Sequence, residues 1–270
     1  MKIKQLFIVL LLILNFGCSG TEERSTALVN VFLVGTPGFF EEVGIEILGV
    51  EVKVTGTRGQ DNAEAVYLPN LQANKQANLS TLVHTGQYLI GRGEFLAGAI
   101  TELKLDLGDD NYLILRGDRL VPRFVDASAE KPVMSVSIPL DGGISHDVFI
   151  DFNTLESILL TGGSQGEFIL APDFRTFTSL NTGEIAGVIR PQGQNPQRQK
   201  SLILAIQGLD TLASTTQNMQ GNFLLRGLTG EVTVFIYPFS NEFLPDTIRN
   251  VIVEPRQRTQ LEEINLRLNP

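Results

Sequence analysis

The chain of 270 residues holds one cysteine, no tryptophan, four tyrosines and two histidines, and each scarcity removes a class of chemistry. A lone cysteine forms no disulfide within its own chain, so stability must come from buried apolar surface, which 43% hydrophobic residues can supply. Two histidines and one cysteine leave a zinc or Cys-His site almost without ligands. Sugar-binding surfaces present broad aromatic rings, and Tyr67, Tyr88, Tyr112 and Tyr237 are a thin supply, so glycan binding would have to rest on planar hydrogen bonding from Asn and Gln. Lys and Arg number 21 against 30 Asp and Glu, a net charge of −9, which speaks against nucleic acid as a partner because affinity for phosphates comes from basic residues. The apolar run Leu6–Leu14 has nine residues, short of the roughly 20 that cross a bilayer.

That run follows Lys2 and Lys4, the arrangement of a signal peptide. Gly17-Cys18 comes directly after it and resembles the lipobox of bacterial lipoproteins, with Leu14 one step early and Asn15 and Phe16 between. The resemblance implies a signal peptide over residues 1–17 and lipid attachment at Cys18, so the membrane is a partner through the anchor. Three acyl chains hold firmly where one does not, since each buried methylene contributes ~0.8 kcal/mol. Residues 18–26 are polar and aperiodic, a flexible tether. Its start, "SGTEE", resembles the acidic tract that directs some Gram-negative lipoproteins to the outer face of the outer membrane.

Beyond the tether the sequence is a succession of short alternating runs broken by Gly, Pro, Asn and Asp, an all-β signature. Val29, Val31 and Leu33 alternate, as do Val43, Ile45 and Ile47. After Gly49 the apolar positions become Val50, Val52 and Val54, a change of parity that predicts a bulge at Leu48-Gly49. Residues 56–78 are polar and weakly patterned, a long connection. Strands are expected over Leu79–Val83, Gln87–Arg92, Ile100–Leu107, Tyr112–Leu115, Val133–Leu140, Val148–Phe152 and Glu167–Ala171, with Gly108–Asn111 as a hairpin turn and Asn153–Ile158 as one helical turn. A break at Pro172–Glu184 precedes about seven further short strands, the content of a small sandwich. The expected architecture is two β-sandwich domains, residues 27–178 and 179–270.

Two families are visible in these segments. "VNVFLVGTPGFFEEVGIEILGVEVKV", "FLAGAITELKLDLGDDNYLIL" and "FIDFNTLESI" resemble, in order, three segments of the domain of unknown function 4382 found in Gram-negative lipoproteins, covering about Ala27 to Pro172. Gly35 and Phe39 stand where that family often has acidic residues, so no ligand role passes to them. "GEIAGVI" and "TTQNMQGNFLLRGLTGEVTVFI" resemble a carboxypeptidase-regulatory-like sandwich of the transthyretin type, with Gly221 expected at a hairpin turn before Phe223 and Leu225, which point inward, and Gly230 turning the next strand back. The second resemblance implies an accessory, non-catalytic module, and the first gives location and fold more than activity. No cofactor follows from either.

Chemistry-bearing residues are few. Ser145-His146-Asp147 has triad residue types, but neighbours on a strand point to opposite faces and cannot converge. His84 has no acid or cysteine beside it and reads as a strand-end residue. Asp106, Asp109, Asp110 and Asn111 are hard oxygen donors of the kind calcium takes, in positions where a hairpin turn also wants Asp, Asn and Gly. Glu41, Glu42, Asp141, Asp151 and Glu156 could supply carboxylate pairs for glycoside hydrolysis, and nothing singles out a pair. Phe39 and Phe40 share a Pro-Gly turn where two adjacent rings cannot easily both turn inward, so one is expected to cap the core and the other to anchor a partner. The expectation is a non-enzymatic lipoprotein of the outer membrane, at the cell surface, that binds or assembles with other envelope proteins. The alternative is a surface glycan or calcium binder using loops of the first domain.

Overall fold

The computed structural model of the chain describes residues 25–56, 64–161, 167–191 and 200–270, and almost all regular structure in it is strand. The first strands are β1 (Thr26–Gly35), β2 (Glu42–Gly56), β3 (Glu64–Pro69) and β4 (Gln76–Asn78), followed by one helical turn, α1 (Leu79–Leu82). Next come β5 (Tyr88–Leu96), β6 (Gly98–Leu107), β7 (Tyr112–Leu115), β8 (Asp118–Leu120) and β9 (Arg123–Phe124), then a 3₁₀ turn at Ala127–Glu130. β10 (Val133–Leu140) and β11 (Ser145–Phe152) lead into a second helical turn, α2 (Thr154–Ser157), and then β12 (Ile158–Leu160), β13 (Phe168–Leu170) and β14 (Phe174–Thr178). The sheet β14-β11-β1-β5 faces a larger one built on β10, β6, β2, β7 and β8, while β12, β13 and β9 form a small third sheet. Between the two larger sheets lies a continuous core in which Val29, Val31 and Leu33 of β1 and Val43, Ile45 and Ile47 of β2 are buried.

The parity change in β2 is a bulge. Ile47 pairs with Leu107 and Gly49 with Asp106, which leaves Leu48 as the extra residue, and Val50 and Val52 are then buried in turn. An aromatic ring lies over each of two glycines in this strand. A Cβ on Gly44 would stand 2.1 Å from the Tyr112 ring, and one on Gly49 would stand 2.6 Å from the Tyr67 hydroxyl.

Four local expectations are corrected. The connection expected over residues 56–78 contains β3 and β4, which pair along β2, with Val50 opposite Leu68 and Ile45 opposite Ala77. These are short strands held chiefly by backbone bonds, with Leu68 and Ala77 as their buried anchors, so they carry little apolar pattern. Leu79–Val83 begins as helix instead of strand, because the Asn78 side chain accepts a hydrogen bond from Ser80 N at 3.1 Å and Leu79 and Leu82 are buried three residues apart. Gly108–Asn111 is not a hairpin turn: β6 and β7 meet β2 in succession, pairing with its residues 47–56 and 42–44 instead of with each other. The 3₁₀ turn at Ala127–Glu130, capped by the Asp126 side chain, lies outside every strand and helical turn expected from the sequence.

The second half comprises β15 (Gly183–Pro191), β16 (Ser201–Gln207), β17 (Asp210–Thr216), β18 (Asn222–Leu228), β19 (Gly230–Pro238), β20 (Asp246–Val253), β21 (Arg258–Gln260) and β22 (Ile264–Leu266). The sheet β18-β15-β21, with β22 also on β15, packs against β17-β16-β19-β20 around a second core centred on Ile185, Ile203, Phe223, Leu225, Val234 and Ile236. Phe223 sits opposite Gly187, where a Cβ would lie 2.5 Å from its ring, so glycine makes the room for the largest side chain of this core. Gly221 and Gly230 have φ of +85° and +71°, as turn residues should. Both turn the chain from one sheet to the other, since β17 and β19 belong to one sheet, on either side of β16, and β18 to the opposite one, so Gly221 does not make the expected hairpin.

Candidate functional site

The turn after β1 is clamped onto α2. Thr36 Oγ1 accepts from Thr154 N at 3.0 Å, and Thr154 Oγ1 donates to Thr36 O at 3.0 Å. Gly38 then passes so close that a Cβ there would lie 2.7 Å from Thr154 Cγ2. From this fixed base Phe40 turns edge-on to Phe168, with centroids 5.4 Å apart, and packs against the first core. Phe39 points away and is 85% exposed. Leu155 of α2 and Leu160 of β12, 41% and 64% exposed, lie near in sequence to the same clamp. Cys18, the expected signal peptide and all but the last two residues of the expected tether lie outside the described residues.

The oxygen-rich segment at β6–β7 is occupied by its own structure. Asn111 is buried, accepts from Glu46 N at 3.0 Å through Oδ1 and donates to Gly108 O at 2.7 Å through Nδ2, which closes the gap in the ladder beside β2. Asp106 accepts from Tyr67 OH at 3.0 Å and pairs with Lys131 at 3.2 Å. Asp110 pairs with Arg119 at 3.5 Å, and Asp109 is exposed. Among the described residues, no group of three or more His, Cys, Asp or Glu is arranged to hold a metal ion.

The other candidates are likewise dispersed. Ser145 and Asp147 share one face of β11, where Asn30 Nδ2 donates to both at 3.0 and 2.7 Å, and Arg92 Nε donates to Asn30 Oδ1 at 2.6 Å. His146 is buried on the other face, its Nε2 3.1 Å from the backbone nitrogen of Asp141. Glu42 accepts from Tyr112 OH and from Asn78 Nδ2, Asp151 takes Arg175 at 2.9 Å, and Glu41 and Glu156 are exposed. Burial, then the hydrogen-bonded carboxylates Asp106 and Glu42, push the Tyr67 and Tyr112 hydroxyls up to about 12.

Sequence reasoning missed a seam between the two cores. His84 is not a strand-end residue: it follows α1 and its Nδ1 donates to Thr216 O at 2.6 Å. Thr215 Oγ1 donates to Val83 O at 2.7 Å, and Arg226 donates to Thr85 O at 2.7 Å and Gly86 O at 3.0 Å. Arg175, paired to Asp151, reaches Arg226 O and Gly227 O at 3.0 and 3.2 Å. Gly227, with φ of +68°, lies against the Phe177 ring, which continues a stack through Phe149 to Phe32. Burial lowers the affinity of the Arg226 guanidinium for its proton, and Glu184, 3.8 Å away, opposes that shift. The hydrogen bonds to backbone carbonyls across this seam join residues more than fifty positions apart, so no local pattern announces them.

A strand-rich chain of two packed cores with a fixed aromatic tip is a protein of the β-sandwich class. The family model described as Domain of unknown function (DUF4382) matches residues 26–172, more than half of the chain, and the chain belongs to that family. No curated protein matches it. Among solved structures it is similar to a type II cohesin–X-dockerin complex from Acetivibrio cellulolyticus, at 18% identity over 31% of this chain and 56% of that one, with a TM-score of 0.26. It is also similar to the Bacillus anthracis TIE protein, at 10% identity over 90% of this chain and 34% of that one, TM-score 0.22. A third is GBS52, the minor pilin of Streptococcus agalactiae, at 8% identity over 89% of this chain and 96% of that one, TM-score 0.25. The match spans less than two thirds of the first two proteins, and at TM-scores this low none of the three bears on function.

Proposed function

We propose that the protein is a cell-envelope lipoprotein, held in the outer membrane by lipid on Cys18 and facing the exterior, that binds or assembles with other envelope proteins without catalysis. One observation carries this reading. β1 runs from Thr26, where the tether enters, to Gly35, and ten extended residues span roughly 33 Å. Phe39 follows at the far end, clamped and 85% exposed, so the strand that receives the anchor also presents an apolar ring on the opposite side. A large exposed aromatic on a rigid base is what a protein partner uses as an anchor. Among the candidate acids Asp106, Asp151 and Glu42 each hold a different neighbour, which supports a non-catalytic role. In this reading residues 27–178 form the presenting unit, and residues 179–270 a carboxypeptidase-regulatory-like spacer.

Two measurements test it. Cys18→Ser should move the protein from the membrane fraction to the soluble fraction with its circular dichroism unchanged, and retention in the membrane would overturn the anchor. A photo-crosslinking residue at position 39 should give discrete adducts with envelope proteins on intact cells. The same probe at exposed Leu209, on the β16–β17 turn, should not. Equal labelling at both positions would remove the tip from the proposal.

A further inference from the structure

Among the described residues, one sheet face of the second half has no cover. On β16, Ile203 and Ala205 are fully buried in the second core, so Leu202, Leu204 and Ile206 point outward. On β19, Val232, Val234 and Ile236 point in, and Thr233, Phe235 and Tyr237 point out. The register sets Leu202 beside Tyr237 and Leu204 beside Phe235, and the two rings stack with centroids 6.1 Å apart. Flanking positions are Ser214 on β17, opposite Leu204, and Thr247 on β20, opposite Phe235. Glu231, at one end of β19, is the charged exception among the outward positions of β16 and β19. A strand apolar on both faces belongs between two layers, and among the described residues no second layer lies on this face.

We propose that this face binds a second copy of the same chain, the two packing sheet on sheet about a two-fold axis. Charge selects that occupant. At a net charge of −9, copies repel one another over most of their surface, and a face whose outward β16 and β19 positions carry Glu231 as their one acid is where that repulsion is least. A partner recruited by charge finds little here to engage. A two-fold operation also lays the Leu202–Ile206 row of one copy on the Phe235–Tyr237 row of the other, so the patch is self-complementary. Four strands at ~4.8 Å spacing and about six residues at ~3.3 Å give a footprint of roughly 400 Å². That is about half of the ~800 Å² each partner contributes to a standard complex, so the dimer is weak. Confinement of both copies to one membrane would raise their effective concentration, a step that rests on the proposed anchor, whereas the self-association does not.

Sedimentation velocity of the Cys18→Ser chain from about 10 µM to about 1 mM should show a reversible monomer–dimer equilibrium. Leu204→Glu should raise the dissociation constant at least ~10-fold with the melting temperature held, because its carboxylate would be buried unpaired against the Phe235–Tyr237 row of the other copy. Phe39→Ser should leave it unchanged, which separates this face from the proposed tip. A chain monomeric throughout, or a dimer indifferent to Leu204→Glu, would overturn the proposal. Should Leu204→Glu fail to fold, Leu204→Cys in the Cys18→Ser background carries a single thiol. A bismaleimide whose arm spans the ~10 Å between packed sheets should link it into a homodimer, and a monomer that stays unlinked, or a different chain captured at position 204 on intact cells, would overturn the proposal.

Discussion

The outer faces of two sheets in this molecule differ although their inner faces do not. On β2 and β6, Val50, Val52, Leu103 and Leu105 point in, and the outward positions are Glu51 and Lys53 opposite Lys104 and Glu102. On β16 and β19 the inward residues are the same kind, and the outward ones are Leu202, Leu204, Phe235 and Tyr237. One face is finished in water, with a Glu51–Lys104 ion pair at 3.7 Å. The other has the composition of an interior. Inward residues build the sandwich, and outward residues decide whether a sheet ends in solvent or against another surface.

The sharpest test of that division removes one ring from each side of the same sandwich. Phe223→Ala empties a site that is 2% exposed and should destabilise the chain by about 3–5 kcal/mol. Phe235→Ala removes a ring of equal size from the outer face and should cost no more than about 1 kcal/mol in dilute monomer. Urea unfolding of both variants makes the comparison. Equal losses would mean that the outer face is already part of the folding core, and the distinction would collapse.

Much of this was legible in the sequence because burial leaves a period of two. The shift from Ile47 to Val50 placed the bulge in β2, and adjacent rings at Phe39-Phe40 implied that one had to leave the core. β3 and β4 escaped because they are recruited by the open backbone edge of β2, which needs no side-chain pattern. α1 escaped because "NLSTLV" has both readings, Leu79 and Val83 alternating as in a strand or Leu79 and Leu82 stacked on a helical face, and the Asn78 cap decides between them. The seam was illegible for a deeper reason. Arg226 is bonded to carbonyls of Thr85 and Gly86, about 140 positions earlier, and a carbonyl has no sequence identity.

That seam is a third kind of surface, an edge of the second sandwich that has found its partner, and its groups are polar and matched. Arg226→Met keeps the volume and removes the donors, leaving the carbonyls of Thr85 and Gly86 without them, while Glu184 keeps Arg258 at 2.7 Å. The expected loss is about 2 kcal/mol, because hydrogen bonds from a charged donor contribute more than neutral ones. Calorimetry should also show the single transition broaden or split, as each core begins to melt alone. A wild-type melting curve for Arg226→Met would mean that the seam does not couple the two cores.

The smallest effect belongs to the charged face itself. Glu51 and Lys104 are each about one third exposed, at 36% and 35%, and 3.7 Å apart, so solvent screens most of their attraction and holding two long side chains in place offsets part of the rest. A double-mutant cycle of Glu51→Ala and Lys104→Ala should return a coupling of about 0.5 kcal/mol or less, falling further in ~1 M salt. A coupling several times larger would mean that the pair holds β2 to β6. The value of the pair lies elsewhere, since charges of both signs on an outward face keep a second sheet from docking there. Replacing Glu51 and Lys104 together by Leu should therefore leave stability nearly unchanged while giving the first sandwich a face like that of β16 and β19. The gain would be read as new self-association in sedimentation velocity, independent of Leu204.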